Sequence, residues 1–347
     1  MLAAASLHGR SHFVPEEILV HCNLSTDSRK SSGVLPALAF VKTHKTGGST
    51  VSDILNRIAD ARSLSKLCPS DYVHLGWPGV FPGEIQNIDS ALHDVINNHA
   101  ILNRTRMEAY LKRPAFFFTI LRGPVVQAIS AFNYFGYARQ SSWAAHLAWL
   151  GTHHSHEASA RAARLQNSQA SDLGWYEYAS REGVGGDSRA APRSSAAAIN
   201  RFVRRLDADL DVALLLEEID AGLVLLAHRL GLSLPEVAYV PRKTEHATPY
   251  VTPTPAQERD LRALLAADVA MYAFFKQRWR ALWAEQTSRH PELLQRVSEL
   301  RCLNARLARR SVPRQFGLDS IPYTRYLCEK RAGQEHGPPR IRESEEK

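Results

Sequence analysis

The sequence predicts an α/β fold: a P-loop-like parallel sheet flanked by helices, with a helical insertion and a helical C-terminal part. Two observations carry this. Short apolar runs recur along the 347 residues and pass directly into segments of helical spacing, the alternation of a parallel sheet covered on both faces. The first such junction also holds a Gly-containing, Lys-rich loop, the kind of turn that lets a strand enter a helix around an anion.

Taken in order, residues 1–35 read as a polar, Ser-rich lead-in. PALAFVK (36–42) is a short apolar run between Pro and a loop, hence a buried strand. After the loop THKTGGST (43–50), apolar residues at 51, 54, 55 and 58 predict a helix to about Ala61. DVINNHA (94–100) reads as a short strand. AFFFTIL (115–121) is continuously apolar and reads as a central parallel strand. Arg122-Gly123-Pro124 ends it, and Pro124 suits the first turn of a helix running to Phe135. DVALLL (211–216) predicts a further strand with a helix (217–231) directly behind it. Residues 138–198, rich in Ala, Ser, His, Arg and Gly, read as an insertion with helical pieces and a loose loop near 182–196. Residues 255–311 are charged and helical in pattern. One domain over 36–311 is expected, with 312–347 as a C-terminal tail that is charged beyond about 330.

Bulk numbers constrain less. There are 43 Lys+Arg against 35 Asp+Glu, a net +8. That excess suits an anionic ligand, whether nucleotide, sulfated sugar, nucleic acid or membrane surface, and equally a solvated basic face. The four cysteines (Cys22, Cys68, Cys302, Cys328) form no CxxC pair, which argues against zinc. Free thiols in a cytosolic protein and disulfides in a secretory compartment both remain open. Asn23-Leu-Ser25 and Asn103-Arg-Thr105 are sequons. The apolar stretch 212–232 is interrupted by Glu217, Glu218 and Asp220 and cannot span a bilayer. The start, MLAAASLHGR, lacks a signal-peptide core, so the expectation is either a soluble chain or an anchor lying outside this sequence.

The loop Lys42-Thr43-His44-Lys45-Thr46-Gly47-Gly48-Ser49-Thr50 joins strand to helix. Glycines allow close backbone approach, amides at a helix start bind phosphate or sulfate oxygens, Lys42 and Lys45 add charge, and Ser49 and Thr50 add hydroxyls. A nucleotide triphosphatase would need Lys after the glycines; here Ser49 follows Gly48 and the lysines precede. A plain glycine turn with surface lysines is the structural alternative. A second constellation pairs Arg122, at a strand end, with Ser130 two turns into the next helix. A guanidinium fork and a hydroxyl there suit one phosphate, whereas a salt-bridged Arg and a packed Ser are the alternative. Arg242 and Lys243 follow a run of strand-like residues and suit a phosphate, an acceptor or a surface turn. His153, His154 and His156 read as solvated.

Together KTHKTGGST and FFFTILRGPVVQAISAFNYF (116–135) resemble the 5'-phosphosulfate loop and 3'-phosphate segment of the galactose 3-O-sulfotransferase family, which includes galactosylceramide sulfotransferase. HLGWPGVF (74–81), INNHA (96–100), the stretch Asn167 to Gly174 with DLG at 172–174, DVALLLEE and Asp268-x3-Tyr272-x2-Phe275 match in order, so the likeness runs over about 36–310. Gly123 stands where the family usually has Asp, and Gly47 where Ala or Ser is usual. The resemblance implies the PAPS-dependent sulfotransferase fold, with 3'-phosphoadenosine 5'-phosphosulfate (PAPS) as donor and no metal. It implies a galactose-containing glycolipid or glycan as acceptor, and no nucleic acid. It also implies a Golgi lumen or membrane location, with membrane association through an anchor outside this chain. The implied donor site is Lys42, Thr43, Lys45, Thr46, Gly47, Gly48, Ser49, Thr50, Arg122 and Ser130. The implied catalytic set is His44 as base, Lys45 on the leaving group, and His99 contacting the acceptor or assisting. A sulfotransferase for another sugar such as a glycosaminoglycan, an inactive anion-binding module and, more distantly, a P-loop kinase are the alternatives.

Overall fold

The computed structural model describes residues 34–86, 92–152, 164–181, 196–240, 250–309 and 320–331, together with 18, 22 and 24. Its centre is a four-stranded, all-parallel sheet. The strands are β1 (Ala37–Val41), β2 (Val95–Ile96), β3 (Ala115–Leu121) and β4 (Val212–Leu215), in the spatial order β2-β1-β3-β4. All four fall within the apolar runs the sequence marks as strands. In register, Val41 lies beside Thr119 and Leu121 beside Leu215. β3 is shielded on both faces, Phe117, Phe118, Ile120 and Leu121 each being 0% exposed. That is why it carries no polar alternation. The Phe40 and Phe118 rings pack at 5.0 Å across the β1–β3 pair.

Helix α1 (Gly48–Ala61) follows β1 and buries Val51, Ile54, Leu55 and Ile58, the predicted stripe. The short α2 (Arg104–Glu108) precedes β3, and α3 (Pro124–Tyr134) follows it with Pro124 in its first turn. The described parts of the insertion are helical: α4 (Trp143–Thr152), α5 (Ser168–Asp172), α6 (Trp175–Arg181) and the start of α7 (Ala196–Asp209). Then come β4, α8 (Ile219–Leu230), α9 (Leu234–Val237), α10 (Pro255–Leu264), α11 (Ala266–Arg289), α12 (Glu292–Ala308) and α13 (Ser320–Arg331). Most buried apolar residues form one core around the sheet. A satellite core joins α3, α4 and α10 through Val125, Phe132, Trp143 and Leu261.

Helix α13 lies in the stretch expected to be a tail, yet it is docked on α1. Tyr323 donates to Asp60 (3.2 Å) and Lys330 pairs with Asp60 (2.9 Å). Two disulfides decide the cysteine question: Cys22–Cys302 and Cys68–Cys328. The second fastens α13 beside Lys66, a lysine 1% exposed. Its ammonium donates to Asn56 (2.9 Å) and Thr324 (3.1 Å). Burial, then Lys42 nearby, holds that amine well below the ordinary lysine range. Among the described residues no helix is long and apolar enough to cross a membrane.

Candidate active site

Parallel strands present their C-terminal ends on one edge, where α/β sheets gather ligands. Here that edge collects Lys42 to Gly47 after β1, Asn97 to His99 after β2, Arg122 after β3 and Glu217 after β4. The loop after β1 is tightly built. The Thr43 hydroxyl donates to the Ile120 carbonyl (2.6 Å) and lies 2.7 Å from the Thr46 hydroxyl, itself 3.1 Å from the Thr43 carbonyl. Both threonines therefore face the loop and the sheet. Gln127 of α3 donates to the His44 carbonyl (2.9 Å). Gly47 takes φ 85° at the N-cap, where no side chain caps the helix. The first amides of α1 are thus left for a ligand. Gly48 is required for space: a Cβ there would lie 2.8 Å from Lys42 Cγ and 3.3 Å from the Thr43 carbonyl oxygen.

Lys45 is held at φ 60°, a left-handed conformation that costs roughly 1–2 kcal/mol in a residue with a Cβ. Its ammonium lies 3.4 Å from the centre of the Tyr134 ring. Arg122 comes from the neighbouring strand and donates to the Lys45 carbonyl (3.2 Å). Its peptide is clamped by Gln169, which accepts from Arg122 N–H and donates to Arg122 C=O, both at 2.9 Å. Neither cation has an ion-pair partner among the described residues. Burial, then Arg122, brings the Lys45 ammonium down to about 8, and burial lowers Arg122 as well. Two cations held side by side this way form a site that favours an anion. Glu217, in the turn after β4, accepts from the Gly123 amide (2.7 Å).

Beside the cations stands an imidazole centre. His44 is 6% exposed and stacks on His99 at 4.1 Å and 22°. Trp77 packs on His44 at 4.4 Å. The segment carrying Trp77 runs alongside His99, Leu75 N–H donating to the His99 carbonyl (2.7 Å). One His99 nitrogen bonds the Lys42 backbone; its Nδ1 is buried without a hydrogen-bond partner among the described residues. Burial, then the neighbouring His44, Lys42 and His74, holds the His99 pKa well below the usual histidine range. On the other side, His44 Nδ1 meets the carboxylate of Asp172, which is 0% exposed, at 2.9 and 3.1 Å. Arg164 lies over Trp77 (5.2 Å) and Phe135 (4.8 Å) and closes the rim.

The family model for galactose-3-O-sulfotransferase matches residues 4–319. This chain belongs to the galactose-3-O-sulfotransferase family. Galactose-3-O-sulfotransferase 2 of Sus scrofa is 30% identical to this family member over 283 residues, covering 77% of this chain and 66% of that protein. For the Homo sapiens protein of the same name the identity is 29% over 253 residues (72% and 60% covered). Galactosylceramide sulfotransferase of Mus musculus is 26% identical over 277 residues (77% and 62%). The chain spans 60–66% of the length of these relatives.

Set against this sulfotransferase framework, Lys42, His44, Lys45, Gly47, Gly48, His99 and Arg122 converge on one edge. Ser49 is exposed and Thr50 half-buried on the first turn of α1. Ser130 is 5% exposed on α3, and its hydroxyl makes no hydrogen bond among the described residues. Arg242, Lys243, His153, His154 and His156 lie outside the described residues. Sequence reading gave no role to Asp172, Trp77, Gln127 or Gln169. Asp172 and Trp77 stood inside quoted segments, DLG and HLGWPGVF, but nothing local in either segment marked them.

Proposed function

We propose that this chain transfers a sulfuryl group from PAPS to the 3-hydroxyl of a galactose, carried by a glycolipid such as galactosylceramide or by a glycan, within the Golgi lumen. The observation that carries the reading is the pairing of an unneutralised cation site, Lys45 with Arg122, and a histidine at the same sheet edge. The residues fit the donor: the missing Cβ of Gly48 leaves a cradle beside Lys42, and the uncapped start of α1 points its amides there. Lys42, Lys45 and the α1 amides hold the 5'-phosphosulfate, and Arg122 with Ser130 holds the 3'-phosphate. His44 takes the acceptor proton. The acceptor oxygen then bonds to sulfur as the bond from sulfur to the 5'-phosphate oxygen breaks, and Lys45 stabilises the charge left on that oxygen. The faces of Trp77 and Phe135 and the Arg164 guanidinium offer a wall for the sugar ring.

Calorimetric titration with 3',5'-ADP, metal-free, against ATP-Mg²⁺ is the first test. Preferential metal-independent binding of 3',5'-ADP supports the donor assignment; preference for ATP-Mg²⁺ would favour a kinase. Transfer of labelled sulfate to a β-galactoside follows. His44→Ala should abolish transfer while leaving 3',5'-ADP affinity within about threefold, because the side chain removed faces the acceptor rather than the nucleotide. Retained turnover in that variant refutes the base.

A further inference from the structure

We infer that Asp172 is the positioning residue of the transfer centre: its carboxylate fixes the proton of His44 on Nδ1, directs the Nε2 lone pair to the acceptor, and supplies the counter-charge when Nε2 takes the acceptor's proton. This rests on reading His44 as the base.

Three donors converge on the one carboxylate. The His44 backbone N–H donates to Oδ2 at 2.8 Å, the His44 ring Nδ1 lies 2.9 Å from Oδ2, and the Trp77 indole N–H donates to Oδ1 at 2.8 Å. Asp172 is wholly buried, and no Lys or Arg pairs with it among the described residues; its one basic partner is His44. A buried carboxylate without a cation is costly. It is retained here in contact with the His44 imidazole, whose charge it balances once Nε2 takes the acceptor's proton. A carboxylate accepts, so the nitrogen facing it carries the proton and the remote one carries the lone pair. His44 Nε2 makes no hydrogen bond among the described residues, and the polar contacts of the ring are all at Nδ1.

Asp172 is also rigidly mounted. It ends α5, whose first amides are held by Asp268 of α11: Ala170 N–H at 2.7 Å and Gln169 N–H at 3.3 Å. The Asp172 carbonyl accepts from Leu102 N–H (2.9 Å). Gln169 of the same helix clamps the Arg122 peptide. One five-residue helix therefore sets both the base and the arm proposed for the 3'-phosphate. His99, stacked on a face of His44, restrains the ring from tilting away from Asp172.

The test compares Asp172→Asn, His44→Ala and the unchanged full chain. Asp172→Asn should lower kcat by about 10²–10⁴-fold, the upper figure being the loss when the orienting carboxylate of a catalytic triad is amidated. KM for the galactoside and the Kd for 3',5'-ADP should move less than threefold. Nitrogen-15 NMR of labelled histidine, with His44 assigned by its loss in His44→Ala, should show Nδ1–H in the unchanged protein and a shift toward Nε2–H in Asp172→Asn. The NMR readout on the unchanged chain holds even if the variant does not fold. A His44 ring protonated on Nε2 in that chain overturns the inference. So does Asp172→Asn keeping kcat within threefold while His44→Ala is inactive; the base reading then survives alone. A fall in 3',5'-ADP affinity matching the fall in kcat would make Asp172 a loop brace and overturn it equally. Turnover by His44→Ala would remove the base reading itself.

Discussion

Lys45 ties donor binding to pH in a way that can be worked through. Its ammonium titrates at about 8 in the free protein, lowered first by burial and then by Arg122. A phosphosulfate or phosphate anion needs the charged form and, once bound, stabilises it. Affinity should therefore be full below pH 7, where about nine in ten Lys45 side chains are charged, and fall as pH rises through 8. At pH 9 about one in ten remains charged, so affinity for 3',5'-ADP should be roughly tenfold weaker than at pH 7, to the extent that the neutral amine contributes nothing. The ligand's own phosphates have finished ionising by then, their second pKa lying near 6. Calorimetry in two buffers of different ionisation enthalpy should show close to one proton taken up per nucleotide at pH 9 and almost none at pH 7. Lys45→Arg, which stays charged throughout, should flatten the profile. A wild-type affinity independent of pH between 7 and 9, with no proton uptake, would refute the placement of Lys45 against the anion.

Two further outcomes follow from packing. Gly48→Ala should cost at least tenfold in 3',5'-ADP affinity, because the new methyl displaces Lys42. Gly151→Ala on α4, where a Cβ meets nothing within 4 Å, should leave binding unchanged and raise stability by about 0.5–1 kcal/mol; equal effects on binding would refute the steric argument. Cys328→Ala unties α13 from a point 260 residues earlier and should lower the Tm by roughly 5–10 °C, read by calorimetry against the unchanged chain. An unchanged Tm would mean that α13 holds by its side-chain contacts alone.

The sheet was legible because its strands are fully buried and therefore uninterrupted in composition, as in AFFFTIL. The donor loop was legible because glycine, lysine and helix start lie within nine residues of one another. What stayed hidden joins distant parts of the chain. Asp172 reaches His44 over 128 residues, and nothing local distinguishes a carboxylate that will face a histidine from one that will face water. Thr43 and Thr46 stand in the donor set that the resemblance implies; their hydrogen bonds to each other and to Ile120 became visible only when β3 lay beside β1. Helix α13 looked like tail because its surroundings are charged, whereas its anchor is a disulfide and an aspartate on α1.

Both disulfides join a cysteine near the beginning of the chain to one near its end. During vectorial synthesis neither can close until Cys302 or Cys328 has left the ribosome, when the sheet and donor loop have long emerged. Until then Lys66 lacks Thr324 as a hydrogen-bond acceptor, and the back of α1 is open to solvent. A prematurely terminated chain that keeps every residue of the loop, the strands and the histidine centre would still lack its last clasp.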